Sequence, residues 1–168
     1  AGHKAVPDFL KLPDDINLGA CSAAAINSKG DLYLFHRGAK PILCFDSSGK
    51  FLWSWGDDLI EAAHGMRVDS DDNVWVTDTG HHTVFKFSPA GKLLLALGTS
   101  DRPGTGINQF DRPTDVAFAA NGDVFITDGY GNSRVMKFSH EGKFISQWGT
   151  RGTGAGEFHL PHSIVIDN

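Results

Sequence analysis

The chain has 168 residues, 40% of them hydrophobic, and a formal net charge of −5, so it can bury one core and offers no basic surface to gather a polyanion. Nucleic acid is therefore excluded as an expected partner, and no apolar run approaches the roughly 20 residues that cross a bilayer, which excludes a membrane partner as well. Twenty glycines, seven prolines and twelve phenylalanines favour short strands and tight turns over helices, and the expected class is all-β.

In chain order, the start "AGHK" lacks Met and shows no signal peptide, which reads as a processed or engineered N-terminus. Residues 1–18 read as an N-terminal extension. From residue 19 the same pattern occurs three times: "INSKGDLYLFHRGAKPILCFDSSGKFLWSWG", "VDSDDNVWVTDTGHHTVFKFSPAGKLLLALG" and "FAANGDVFITDGYGNSRVMKFSHEGKFISQWG". The closing glycines Gly56, Gly98 and Gly149 are 42 and 51 residues apart. Periods of that size with four short strands per unit predict β-propeller blades.

Within each unit an inner strand (Ala23 to Ile26, Gly65 to Val68, Asp115 to Phe118) meets a polar turn and an alternating second strand. A third strand, a "SPAGK"-type turn and an outer strand ending in Trp-Gly or Leu-Gly follow. The blades are expected at about 19–56, 64–98 and 114–149, and "HSIVIDN" opens a fourth at 162–168. Residues 19–168 thus read as a partial propeller, which needs its remaining blades or a second copy to close a ring. Cys21 and Cys44 lie in apolar strand-like runs and make no disulfide framework; both read as buried free thiols.

In an antiparallel meander the start of the first strand and the end of the second lie side by side. Ser22, His64, Thr114 and His162 share the first of these positions, while Arg37, Thr79 and Tyr130 follow the second strand. Two histidines, an arginine and a tyrosine are therefore expected at one mouth of the channel. Imidazoles from neighbouring inner strands suit a borderline cation such as Zn²⁺, arginine supplies a fixed positive charge, and tyrosine an acid or base. Asp78 and Asp128 read as structural acceptors of loop amides, with His36 in their register. His3, His81, His82, His140 and His159 read as solvated or locally bonded.

The spacing in "DGYGNSRVMKF" resembles an NHL repeat. Together with "LYLFHRG", "AAHGMRVD", "QFDRPTDVAF" and "LPHSIVID", in order over nearly all of Gly19 to Asp167, the chain resembles peptidyl-α-hydroxyglycine α-amidating lyase. That resemblance implies a six-bladed propeller that cleaves a C-terminal α-hydroxyglycine, in a peptide or small substrate, to an amide and glyoxylate. It implies His64 and His162 as zinc ligands, Arg37 as the active-site arginine, Tyr130 as the catalytic base, and backbone carbonyls of Ala24 and Met66 as calcium ligands. It further implies a secreted or periplasmic setting. The family's third zinc histidine and calcium aspartate belong to a last blade outside this sequence. Asp111 and Gly131 stand where animal members have paired cysteines, and "AAH" replaces the more usual Pro before the first metal histidine. A non-catalytic NHL propeller used as an interaction module is the alternative. A calcium-dependent lactonase-like propeller fits less well, since such sites are built on carboxylates.

Overall fold

The computed structural model describes residues 2–167 and contains, among them, three four-stranded antiparallel sheets and no helix. No helix is therefore long and apolar enough to cross a membrane. The first sheet is β1 (Cys21–Ile26), β2 (Leu32–His36), β3 (Ile42–Phe45) and β4 (Phe51–Trp55). The second is β5 (Ala63–Val68), β6 (Val74–Asp78), β7 (Thr83–Phe87) and β8 (Leu93–Leu97). The third is β9 (Asp115–Phe118), β10 (Val124–Asp128), β11 (Arg134–Phe138) and β12 (Phe144–Trp148). Each sheet pairs its strands in chain order, the meander expected of a blade. A short parallel pair, β13 (Thr150–Arg151) and β14 (Glu157–Phe158), follows.

The repeat extends to backbone detail. Gly56, Gly98 and Gly149 close the blades with φ of 93°, 94° and 95°, a left-handed geometry that a Cβ disfavours. In the first turn Gly30 and Gly122 hold φ of 87° and 85°, and Asp72 takes the same position at 63°. Aspartate is among the few residues that tolerate that region, and here its carboxylate accepts Ser28 N–H and Oγ of the neighbouring blade.

The second and third strands are the most buried: every residue of β3, β6 and β7 is buried, the polar Thr77, Asp78, Thr83 and Lys86 among them. Blades one and two share a core of Tyr33, Phe35, Ile42, Met66, Val76 and Phe87. Blades two and three share Trp75, Phe110, Val116, Ile126, Met136 and Phe138. Burying each such side chain contributes about 1.5–3 kcal/mol, so adjacent blades are held by their faces.

The segment before the first blade packs as well: Leu10, Leu12 and Ile16 lie on Leu43 and Phe45, and Lys11 N donates to Gly49 O. One reading is corrected, that of Cys21. Cys44 is buried, and burial pushes its thiol up to about 12, whereas Cys21 is exposed at the start of β1, before the register shift that precedes Ala23 and Ala25, which do pack on the core. Residues 162–167 form no strand, since no ladder partner lies beside them; Asn168 is outside the described residues.

Candidate active site

Register places the expected residues at one end of the blades. Cys21 pairs with His36, Ala63 with Asp78 and Asp115 with Thr127, so each first strand starts where its second strand ends. Two kinds of residue then gather there, those that build the end and those with free chemistry.

The builders are Asp78, Asp128 and His36. Asp78 accepts the backbone N–H groups of Glu61, Ala62 and Gly80. Asp128 accepts Asp111 N–H at 2.8 Å, Asn132 Nδ2 at 2.7 Å and Arg134 Nε at 2.9 Å. Burial pushes its carboxyl up and these three donors oppose the rise, so the Asp-Asn-Arg spacing of the third repeat is a buried brace for the loop. His36, fully buried, accepts Gly19 N–H at Nδ1 and donates from Nε2 to Lys40 O at 2.7 Å.

The free chemistry is the trio His64, His162 and Tyr130. His64 Nε2 lies 3.1 Å from both His162 Nε2 and Tyr130 Oη, and Tyr130 Oη lies 2.8 Å from His162 Nε2. His64 Nδ1 is 2.8 Å from Thr114 O. A carbonyl only accepts, so Nδ1 carries the proton and Nε2 presents its lone pair to the cluster. Burial lowers the His64 pKa, the Thr114 bond partly offsets this, and the charges of His162 and Arg37 lower it further. A half-buried histidine held neutral is the ligand form.

Tyr130 and His162 meet because of glycine. A Cβ on Gly129 would overlap Pro161 O, and one on Gly131 would overlap the Asp111 carboxylate. The tyrosine therefore sits between two glycines because chain packs against the backbone on both sides of it. The Arg112 guanidinium lies over its ring, 5.8 Å from the centroid. Arg37, exposed after β2, donates from Nε to Ala63 O at 3.1 Å, which ties its charge to the residue before His64.

Two Nε2 atoms 3.1 Å apart fit shared coordination, since Zn–N bonds of about 2.0–2.1 Å put the nitrogens of one tetrahedral ion about 3.3 Å apart. The Met66 carbonyl that the resemblance implies for calcium accepts one hydrogen bond, from Arg67 Nη1 at 3.2 Å, which leaves its second lone pair. A cleft of about 180 Å³ opens beside His64, Thr114, Asp115 and His162. A larger one, about 310 Å³, lies by Tyr33, Trp53 and Pro89 at the turns, away from these groups, so chemistry and not size selects the site. Sequence reasoning missed Asp115, a buried residue whose carboxylate bonds Arg67, Ser163 and Ile164. It also missed that Glu61, His81 and Asp101 present ligand atoms within 4.8 Å of one another, an exposed grouping of a kind common without an ion.

Comparison with known proteins follows this geometry. Residues 94–168 match a family described as a 6-bladed β-propeller, and residues 62–87 match the NHL repeat. The chain is 38% identical over 199 residues to mouse peptidyl-glycine alpha-amidating monooxygenase, covering 99% of the chain and 20% of that protein. It is 33% identical over 190 residues to peptidyl-alpha-hydroxyglycine alpha-amidating lyase 1 of Drosophila melanogaster, covering 91% of the chain and 35% of that protein. The chain is thus similar in sequence to named peptidyl-α-hydroxyglycine α-amidating lyases.

NHL repeat-containing protein 3 of the mouse is 36% identical, covering 89% of the chain and 47% of that protein. A streptogramin B lyase structure superposes with a TM-score of 0.68 at 19% identity, covering 90% of the chain and 46% of that structure, which speaks for the fold alone. The chain spans between a fifth and a half of the length of these curated relatives.

Proposed function

We propose that the chain forms the catalytic mouth of a zinc-dependent lyase that splits peptidyl-α-hydroxyglycine into a peptide amide and glyoxylate. The observation that carries the reading is the convergence of His64 Nε2, His162 Nε2 and Tyr130 Oη within 3.1 Å, from segments 66 and 98 residues apart from His64, in a chain similar in sequence to named amidating lyases.

The bond to break joins the amide nitrogen to the carbon bearing hydroxyl and carboxylate. The hydroxyl loses its proton, its oxygen becomes the aldehyde of glyoxylate, and the nitrogen leaves with the bonding pair and takes a proton. Arg37, a fixed cation tethered at Ala63 O, is assigned to the substrate carboxylate. Tyr130, whose hydroxyl has both a proton and acceptor lone pairs, is assigned to the proton that moves. His64 and His162 would hold zinc, which when bound acts as a Lewis acid on the hydroxyl oxygen. Since the hemiaminal already decomposes slowly in water, orientation supplies much of the remaining gain.

Calcium on the Ala24 and Met66 carbonyls is a separate proposal that rests on the family resemblance; Met66 O accepts from Arg67 Nη1 and keeps a second lone pair. Further blades or a second copy are proposed to complete the ring, and a secreted or periplasmic setting is proposed on the family resemblance. A second reading, a non-catalytic interaction propeller, is favoured by the likeness to NHL repeat-containing protein 3.

The test is incubation with an α-hydroxyglycine peptide, with and without added zinc, measuring glyoxylate and peptide amide. Equimolar, zinc-dependent release is expected. Release no faster than in buffer, together with stable capture of a protein partner, would replace the lyase by the interaction module.

A further inference from the structure

We infer that Asp115, acting with Thr114, is a positioning residue that clamps the segment carrying His162 and thereby sets the two imidazoles face to face. The inference rests on the proposed metal site. His162 lies on a stretch with no strand pairing, so no ladder fixes its register. Three bonds to blade three fix it instead, and they bracket the histidine on both sides. Thr114 Oγ1 donates to Pro161 O at 2.8 Å on one side. On the other, Asp115 Oδ2 accepts Ser163 Oγ at 2.7 Å and Ile164 N–H at 3.2 Å.

The same dipeptide sets the opposite imidazole, since Thr114 O accepts from His64 Nδ1 at 2.8 Å and from Thr77 Oγ1 at 3.1 Å. One dipeptide, Thr114 and the first residue of β9, therefore determines the tautomer of His64 and the place of His162. The proton count closes. Thr127 Oγ1 accepts Asp115 N–H at 3.0 Å and can donate to Thr114 Oγ1 at 2.8 Å, which leaves the Thr114 proton for Pro161 O.

Asp115 is fitted for a clamp and not for coordination. Its carboxylate is buried, Oδ1 accepts Val116 N–H at 2.9 Å, and Oδ2 also accepts Arg67 Nη2 at 2.7 Å. Every contact is a donor, so an ionised carboxylate satisfies them and an amide cannot. Asn at this position must turn its NH₂ against Val116 N–H or against the Arg67, Ser163 and Ile164 donors. Outer-shell partners of this kind typically govern 10–100-fold of metal affinity.

The experiment measures zinc affinity of the whole chain by competition with a chromophoric chelator, for the parent, Asp115→Asn, Ser163→Ala and His64→Ala. Ser163→Ala removes one exposed hydroxyl and leaves the blades untouched. In parallel, the imidazole ¹H–¹⁵N resonances of the metal-free proteins report how firmly His162 is held. The expected result is a loss of about 10–100-fold for Asp115→Asn, a smaller loss for Ser163→Ala, and a more mobile His162 ring in both. Unchanged affinity in both variants, with His64→Ala abolishing binding, would overturn the clamp and leave the metal site standing. If the parent binds no more zinc than His64→Ala, the metal reading falls, and the ring resonances alone decide: a loosened His162 supports the clamp, an unchanged one refutes it.

Discussion

His64 and His162, 98 residues apart in sequence, bring their Nε2 atoms to 3.1 Å. At this distance the two imidazoles can share one hydrogen bond, with one Nε2 donating and the other accepting. His64 has its proton on Nδ1, committed to Thr114 O, so its Nε2 is an acceptor waiting for a donor or a cation. Tyr130 Oη, within 3.1 Å of both nitrogens, completes the triangle.

Tyr130→Phe removes the oxygen and keeps the ring that packs beneath Arg112. Turnover of an α-hydroxyglycine peptide should drop by about 10²-fold or more, the usual range for a proton-transfer group, with the thermal midpoint little changed. Unchanged turnover with a lowered midpoint would make Tyr130 a packing residue.

Gly129→Ala should displace the His162 segment, because its Cβ would overlap Pro161 O and backbone cannot yield as a flexible side chain can. The cores between blades do not include Gly129, so far-ultraviolet circular dichroism should keep the strand signal while zinc affinity falls by at least tenfold, the scale of lost ligand support. Parental zinc affinity in this variant would mean that the approach of Gly129 to Pro161 does not place His162.

Much of the fold was legible because repetition speaks through composition: the same turn glycines, alternating strands and closing Trp-Gly or Leu-Gly recur in register, and antiparallel pairing then puts residues such as His64 and Arg37 at one end. Tyr130 was legible as a break in the repeat. Asp115 was not, because "TDVAF" reads as an ordinary inner strand and its role depends on Arg67 and on Ser163, both distant in sequence. The exposure of Cys21 was hidden for a related reason, since local apolarity says what a strand can bury and not where its register shifts.

His81 gives a pH signature separate from the active site. Partial burial lowers its pKa, but Asp78, by charge and by the 3.0 Å bond to Nδ1, together with Asp101 and Glu61, outweighs burial and raises it. The folded state thus holds the proton more tightly than the unfolded chain, so the contribution is complete below the ordinary value of about 6.5 and is lost as pH rises through the raised value. The side chain is 26% exposed, so the effect is modest. Melts of parent and His81→Gln from about pH 5.5 to about pH 8.5 should show a gap that narrows toward alkaline pH. A gap independent of pH would show that the ion pair contributes nothing.

The most direct measurement is zinc-edge X-ray absorption on protein loaded with one equivalent of zinc, for the parent and His64→Ala. The account predicts imidazole scattering in the parent with Zn–N distances of about 2.0–2.1 Å, and a spectrum in His64→Ala that has lost one imidazole or reverts to hydrated zinc. A parent spectrum without imidazole, or one that His64→Ala leaves unchanged, would contradict the assignment of His64 and His162 as a metal-holding pair.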